Sequence, residues 1–316
     1  MERNTENDME TIIQEAARIT TMLSRKIAEE APYVEYSDET LRFAKSCLAD
    51  WEEQLIREVT DESVESDIFE CFYVIREICR SILVWNEDNR YYLFHLLSNT
   101  KKLYKSAFLK DAYLQGVHVP DVVLGNYRLA HASYSKGELL QYDMPDFGQE
   151  ILVPKLAFFD REITFPGIYE GRIPWVSVCP SEMNSMQQEI DSAYGRVLVL
   201  GLGLGYYPYM VSLHERVRSV TIIECQPEII RLFQDYLLPQ FPKREKIRII
   251  QADAYEYMET VGPEQYDYCF ADIWENQVDG AEAYVKLKKY EQRLLYTEFS
   301  YWIEASIRWW LQGEDE

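Results

Sequence analysis

The sequence VLVLGLGLGYYP, residues 197–208, joins an apolar run to a glycine-rich turn. The apolar residues 197–200 predict a buried β-strand, and the residues after the last glycine predict a helix. The three glycines permit a tight turn and let a ligand approach the backbone closely. The helix N-terminus adds free N–H groups and a partial positive charge, and Pro208 suits a first helical turn. This stretch therefore predicts the first strand, turn and helix of a ligand-binding α/β domain.

The sequence after this turn alternates between strand and helix patterns. Strand patterns cover residues 219–224, 247–250 and 266–271, and helical sequence follows each of them. Strands that are apolar along nearly their whole length indicate a parallel sheet covered by helices on both faces. The predicted fold class is therefore α/β, Rossmann-like, with a mostly parallel sheet.

Acidic residues stand at the ends of three successive predicted strands. Glu224 ends the second strand, Asp253 follows the third and Asp272 follows the fourth. Ligands of open parallel sheets bind beyond the carboxyl ends of the strands, where an acid after the second strand can bind ribose hydroxyls. Each acid alone has a simpler explanation, since Glu224 suits a surface or capping acid and Asp253 a helix N-cap. Their order along the chain favours a nucleoside-binding cleft.

From about Ser181 to Asp272 the chain resembles class I S-adenosylmethionine-dependent methyltransferases. The motifs that carry the resemblance are VLVLGLGLGYYP (197–208), TIIECQPEII (221–230), IIQADAYEYM (249–258) and YDYCFADIW (266–274). The resemblance implies S-adenosylmethionine as the cofactor and methyl transfer as the activity. It implies no metal site.

The resemblance also implies a role for each matching residue. The methionyl and ribose parts of the cofactor would lie against Gly201, Gly203 and Gly205. The ribose hydroxyls would bind Glu224, and the adenine would lie near Cys225, Asp253 and the backbone of Ala254. Asp272 would lie beside the sulfonium and the acceptor, as a catalytic base or only as an orienting group. An aromatic wall of Tyr206, Tyr207 and Trp274 is a further hypothesis, with ordinary core packing as its alternative.

Two other functions stay open, and two more are disfavoured by the motifs. The same motif order resembles spermidine synthases, which use decarboxylated S-adenosylmethionine, and Val199 stands where many methyltransferases have an acid. A non-catalytic protein that binds S-adenosylmethionine is a second alternative. A nicotinamide-binding fingerprint needs G-x-G-x-x-G, whereas the spacing here is G-x-G-x-G. No P-loop motif follows the strand.

The patterns predict three segments along the chain. Residues 1–150 read as a helical domain, because apolar residues recur three or four apart, with a fourth helix from Tyr91 to Tyr113 and loop with short helical pieces at 117–149. Residues 151–180 read as a short β-strand connector, with strands in ILVPKLAFFD and RIPWVSVCP. Residues 181–316 form the predicted Rossmann-like domain that binds S-adenosylmethionine.

The end of the chain departs from the usual fold. Only 44 residues follow Asp272 (316 − 272), and they read as helical. The sheet is therefore predicted to lack the usual last three strands. Strands from 151–179 could complete it instead, or it could be truncated and pack against the helical domain or another subunit.

The composition limits which binding partners and which cellular location are expected. The formal charge is −22, which opposes binding to nucleic-acid phosphates. The six cysteines form no C-x-x-C pair and read as reduced residues of a cytoplasmic protein. No window is apolar and long enough to span a membrane. The expected partner is a small-molecule or peptide acceptor, without nucleic acid or membrane, and a homodimer is left open.

Overall fold

A computed structural model of the chain describes residues 99–314, except 137, 146–154 and 172. The chain divides into two compact units. In the first unit the structure describes residues 99–105, 134–141 without 137, and 155–163; in the second it describes 106–133, 142–145 and 164–314 without 172. The predicted helices before residue 91 lie outside the described residues.

The described part of the first unit is built on a three-stranded sheet. Its order is β1 (Lys101–Leu103), β5 (Lys155–Phe159), β4 (Leu139–Asp143), and β4 continues into the second unit. β1 pairs with β5 in parallel. Ala157, Phe158 and Phe159 of β5 are buried, so folding removes the apolar surface of this strand from water.

Two sheets lie in the second unit. The smaller has the order β2 (Val122–Leu124), β3 (Tyr127–Tyr134), β6 (Ile163–Glu170), β7 (Ile173–Ser177). The larger has the order β10 (Ile247–Gln251), β9 (Val217–Glu224), β8 (Gly195–Leu200), β11 (Tyr268–Ala271), β12 (Glu298–Tyr301), and all its pairs are parallel. This is the Rossmann-like sheet that the strand–helix alternation predicts.

Helices accompany these strands. In chain order the described helices are α1 (Lys105–Phe108), α2 (Ala112–Gly116), α3 (Pro180–Ser192), α4 (Tyr206–Leu213), α5 (Pro227–Leu232), α6 (Ala254–Thr260), α7 (Gln277–Glu291) and α8 (Glu304–Glu314). A π-helical turn, Phe233–Leu237, and two short 3₁₀ turns, Leu238–Gln240 and Arg244–Lys246, complete the set. Among these described helices, none combines the length and apolar character needed to cross a membrane.

The parallel sheet carries a core on each face. Side chains of a strand alternate between faces, so Val197 and Val199 join one cluster while Leu198 and Leu200 join the other. The first cluster includes residues of α3 and α4, and the second includes residues of α6, α7 and α8. Burial on both faces explains why β8 is apolar at every position from 197 to 200.

Several predictions for the first 180 residues are wrong. The predicted helix from Tyr91 to Tyr113 is interrupted by β1 where the structure describes it, and the predicted loop at 117–149 contains β2, β3 and β4. Within β3 the buried Tyr127 and Leu129 alternate with half-buried residues, which is the period of a strand. β5 and β7 lie within the two predicted strand segments, and β6 is an additional strand. The boundaries at 150 and 180 stay predictions.

Two predictions for the parallel sheet also need correction. β12 is a fifth parallel strand within the segment predicted to be helical, so the sheet has one of the three strands thought missing. The strands from 151–179 belong to the other two sheets and do not complete it. Beyond Tyr301, the described residues form α8 and no further strand.

Asp267 connects the amino ends of the central strands, at the opposite end of the sheet from the predicted cleft. Its carboxylate accepts hydrogen bonds from the backbone N–H of Arg196 (2.6 Å) and from the guanidinium groups of Arg196 (2.9 Å) and Arg218 (2.8 Å). The hydrogen bond from Arg196 is the main cause that holds the pKa of Asp267 below its ordinary value, and Arg218 adds to it. The folded chain therefore favours the charged carboxylate.

We expect Asp267→Asn to lower the free energy of unfolding by about 1–3 kcal/mol at pH 7, because hydrogen bonds to a charged group are lost. A depressed folded pKa stabilises the fold above the unfolded pKa, and this contribution declines as the pH falls below about 4. Urea denaturation of wild type and variant at pH 7 and pH 3 measures both effects. A difference that does not shrink at pH 3 would contradict the electrostatic explanation.

Candidate functional site

The glycine turn lies between β8 and α4, at the carboxyl end of the sheet. Its glycines have left-handed backbone conformations, with φ of +97° at Gly201, +51° at Gly203 and +77° at Gly205. The Gly201 N–H donates to the carbonyl of Ile223 (2.9 Å), and the Gly205 N–H donates to that of Leu202 (2.9 Å). The turn therefore uses conformations that residues with a Cβ rarely adopt.

The three glycines serve different purposes. A Cβ at Gly201 would lie 1.9 Å from the backbone oxygen of Asp272, and a Cβ at Gly205 would lie 2.3 Å from the ring of Phe233. A Cβ at Gly203 would meet only the side chain of Val176, at 3.6 Å. Packing within the protein therefore requires glycine at 201 and 205, while Gly203 presents open backbone to the neighbouring space.

Glu224 lies at the end of β9 and is bound to the glycine turn. Its side chain is buried, and its carboxylate accepts hydrogen bonds from the backbone N–H of Leu202 (3.2 Å) and Gln226 (2.8 Å). The predicted ribose acid and the glycine motif are thus in direct contact, one residue from Gly203. Cys225 follows as an exposed residue. Partial desolvation of its thiol is the first cause that raises the pKa of this group, and the charge of Glu224 is the next.

Asp253 is the N-cap of α6. Its Oδ1 accepts hydrogen bonds from the backbone N–H of Tyr255 (2.9 Å) and Glu256 (3.0 Å). The N–H of Ala252 donates to the backbone oxygen of Glu224 (3.1 Å), which joins this strand end to that of β9. The capping role that explains Asp253 alone is therefore real, and it holds the carboxylate at the same edge of the sheet as Glu224. Ala254, the first residue of α6, is buried.

An open cleft lies beside the glycine turn, with about 430 Å³ of unfilled space that is partly open solvent. Among the predicted site residues it is lined by Gly201, Gly203 and Asp272. The structure adds residues from β7, the segment after it, α3 and α4, of which the polar ones are Ser177, Glu182, Tyr206 and Tyr207. The lining does not include the predicted site residues Gly205, Glu224, Cys225, Asp253 and Ala254. The cleft thus corresponds to the predicted reactive end of the site.

Two carboxyl groups, those of Glu182 and Asp272, line this cleft. Burial raises the pKa of Asp272 well above its ordinary value, and the charge of Glu182 raises it further. Burial also raises the pKa of Glu182 to about 7. With a pKa of about 7, Glu182 can exchange a proton near neutral pH, which is the property required of a general acid or base. Glu182 could not be identified from the sequence, because it lies on a helix before the glycine motif, far in sequence from Asp272.

The structure separates the residues of the proposed aromatic wall. Tyr206 and Tyr207 line the cleft, and Tyr207 stacks on Phe270 with 3.9 Å between ring centroids. Trp274 is buried in the core cluster on the other face of the sheet, where a Cβ at Gly280 would touch its ring. Packing explains Trp274, while the two tyrosines remain candidates for a wall. In the described part of the chain, no group of His, Cys, Asp and Glu residues has a metal-binding arrangement.

No protein-family model matches the chain, and no curated protein matches it. Solved structures do match, among them a spermidine synthase from Thermotoga maritima (15% identity, TM-score 0.33, covering 54% of this chain and 69% of that one). Another is described as a precorrin 8w decarboxylase from Methanobacterium thermoautotrophicum (18% identity, TM-score 0.27, 34% and 53%). A third is described as an O-methyltransferase from Klebsiella pneumoniae (16% identity, TM-score 0.24, 30% and 43%).

The matches to the last two proteins span about half or less of their length. Spermidine synthases and methyltransferases are the two classes whose motifs the sequence resembles. At these identities and TM-scores, however, the likenesses support no conclusion about function.

Proposed function

We propose that the chain is an S-adenosylmethionine-dependent methyltransferase that acts on a small-molecule or peptide acceptor. The observation that carries this proposal is the hydrogen bond from the Leu202 N–H to Glu224, since it joins the glycine turn to the acid at the end of the second strand. Gly203 and Asp272 line the cleft beside this contact. A nucleoside bound along the strand ends would then have its reactive end in the cleft.

The side chains and backbone groups at the strand ends fit such a cofactor. Glu224 has two oxygens with further acceptor capacity after their backbone hydrogen bonds, as two ribose hydroxyls require. The open backbone at Gly203 admits the ribose and methionyl parts. Cys225, Asp253 and Ala254 would bind the adenine from the ends of β9 and β10. Asp253 uses one oxygen, Oδ1, for both capping bonds. Its carboxylate would accept a hydrogen bond from the adenine amino group through the other oxygen.

The bound cofactor would supply a methyl group that is already activated on a sulfonium. The protein then has to position the acceptor, exclude water and hold a proton. Asp272 would accept the acceptor's proton, because its raised pKa makes the carboxylate a stronger base. The apolar lining from Val176, Met183 and Met186 would keep water out of the cleft.

An aminopropyltransferase is the second candidate, and the charge of the cleft favours it. The described cleft-lining residues include Glu182 and Asp272 but no Lys, Arg or His. A protonated amine acceptor would find two carboxyl groups and no competing cation there. Val199 occupies the position at which many methyltransferases have an acidic residue. It is buried and lines the cleft.

Calorimetric titration with S-adenosylmethionine, its decarboxylated form and NAD separates the candidates. We expect binding of the first ligand, followed by transfer of labelled methyl groups to acceptors in a cell extract. Preferred binding of the decarboxylated form would support aminopropyl transfer, and binding without transfer would indicate a non-catalytic protein. Binding of NAD alone, or of none of the three, would refute the proposed function.

The two roles of Asp253 can be separated by substitution. Serine is also a good N-cap, so Asp253→Ser should retain stability within about 0.5 kcal/mol, whereas Asp253→Ala should lose about 1 kcal/mol. Both variants should bind S-adenosylmethionine roughly tenfold more weakly, because both lack the adenine carboxylate. Thermal denaturation and calorimetry measure the two effects.

Asn276→Ala is the matched control, since it removes the side-chain N-cap of α7 and leaves the strand ends intact. It should lower stability without changing affinity. Wild-type affinity in Asp253→Ser would show that Asp253 only caps its helix.

A further inference from the structure

A short helix that precedes the Rossmann-like segment in the chain contacts the glycine turn. Tyr113 of α2 is fully buried, and its ring lies against those of Tyr206 and Tyr209, with 5.5 Å and 5.3 Å between centroids. α2 and α4 belong to the same unit, although 91 residues of sequence separate Tyr113 from Leu204. The contact therefore depends on the tertiary fold and not on the motif itself.

Two hydrogen bonds join α2 to the turn on either side of Gly205. The Tyr113 hydroxyl donates to the backbone oxygen of Leu204 (2.7 Å). The Tyr206 hydroxyl donates to Oδ2 of Asp111 (3.2 Å), while Oδ1 of Asp111 caps α2. Burial is the main cause that raises the pKa of Tyr113 far above its ordinary value, so its hydroxyl remains a donor at any physiological pH.

The turn has a particular need for such support. Glycines at three alternate positions give a backbone that is unusually free to change conformation. A ligand that must order a mobile loop binds more weakly than one that meets a preorganised loop. Leu204 is itself buried, so its carbonyl would lack a compensating partner if the Tyr113 hydroxyl were removed.

We propose that Tyr113 and Asp111 are positioning residues for the cofactor-binding turn. They hold Leu204 and Tyr206, and thereby Gly205 between them, in the conformation that receives the cofactor. Both act through other residues and do not touch the cofactor. The effect on affinity rests on the proposed function, whereas the effect on the conformation of the turn does not.

Tyr113→Phe tests the proposal, because it keeps the ring and removes only the hydroxyl. We expect the Kd for S-adenosylmethionine to rise roughly tenfold. Hydrogen exchange of the amides at 202–205 should become faster in the free variant and return toward the wild-type rate with saturating cofactor. A merely structural role would lower thermal stability without a selective change at these amides.

Tyr209→Phe is the matched control. Its hydroxyl donates to the backbone oxygen of Ala112 (3.0 Å), so it joins α4 to α2 without touching the glycine turn. This variant should lose stability while its Kd changes less than about twofold. Equal changes of Kd and exchange in the two variants would overturn the proposal.

A second variant covers the case in which Tyr113→Phe does not fold. Asp111→Ser retains an N-cap for α2 but lacks the oxygen that binds Tyr206, and it should raise the Kd and the exchange at 202–205 in the same direction. Unchanged values would overturn the proposal. If wild type binds no cofactor, the proposed function fails, and exchange in the free chain still decides whether α2 holds the turn.

Discussion

Gly201→Ala is expected to lower the free energy of unfolding by about 4 kcal/mol or more, enough to prevent stable folding of many domains. The new Cβ would lie 1.9 Å from the backbone oxygen of Asp272, and the residue would have to adopt φ of +97°. Both obstacles involve the backbone, which a side-chain rotation cannot relieve. The backbone of Asp272 is also held in place, because its N–H donates a hydrogen bond to the Leu200 oxygen (2.8 Å). Relief therefore requires the ends of β8 and β11 to move apart.

Gly203→Ala is the matched control in the same turn. Its Cβ would meet only Val176 at 3.6 Å, and φ of +51° costs an alanine roughly 1–2 kcal/mol. This variant should fold but bind S-adenosylmethionine about tenfold more weakly or worse, because the methyl group stands where the ligand approaches. Urea denaturation and calorimetry of both variants measure the contrast. Equal stability of the two would contradict the distinction between a packing glycine and a ligand-facing glycine.

The central strands could be predicted from sequence because both faces of the sheet are buried. β8, β9, β10 and β11 overlap the predicted segments, since burial on both sides leaves long apolar runs between turns. The convergence of Glu224 on the glycine turn was predictable for a related reason. Parallel strands bring their carboxyl ends to one edge, so residues that follow successive strands become neighbours.

The edge strand β12 could not be predicted because its burial is weak. It has four residues, of which only Tyr301 is fully buried, and helices precede and follow it. Such a short pattern resembles the helical sequence around it. β2 and β3 gave a similar error, since β2 has no fully buried residue, β3 has only Tyr127 and Leu129, and glycines punctuate the segment.

Residues that reach the site only through tertiary contacts could not be predicted from the sequence either. Glu182 reaches the cleft from α3, and Tyr113 reaches the glycine turn from α2. Neither belongs to a motif with fixed spacing from Gly203. The physical signal for both is visible only in the folded chain, as a shared cleft in one case and a buried hydrogen bond in the other.

Glu224→Ala should have the largest effect on binding, raising the Kd for S-adenosylmethionine by about 100-fold or more. The side chain would lose its contacts with the ribose hydroxyls, and the Leu202 and Gln226 N–H groups would lose their buried acceptor. Part of the loss is therefore structural, and a fall in thermal stability should accompany it. Calorimetry with S-adenosylmethionine measures the affinity, and adenosine as a second ligand tests whether the loss is in the ribose contact.

Adenosine carries the ribose hydroxyls without the methionyl group, so Glu224→Ala should weaken both ligands by a similar factor. Glu245→Ala removes an exposed carboxylate on the turn before β10 and should leave both affinities unchanged, which controls for the loss of one negative charge. A variant that loses S-adenosylmethionine but keeps adenosine would move Glu224 away from the ribose. Wild-type affinity for both ligands would show that Glu224 serves only to hold the turn, and the nucleoside assignment of the strand ends would fail with it.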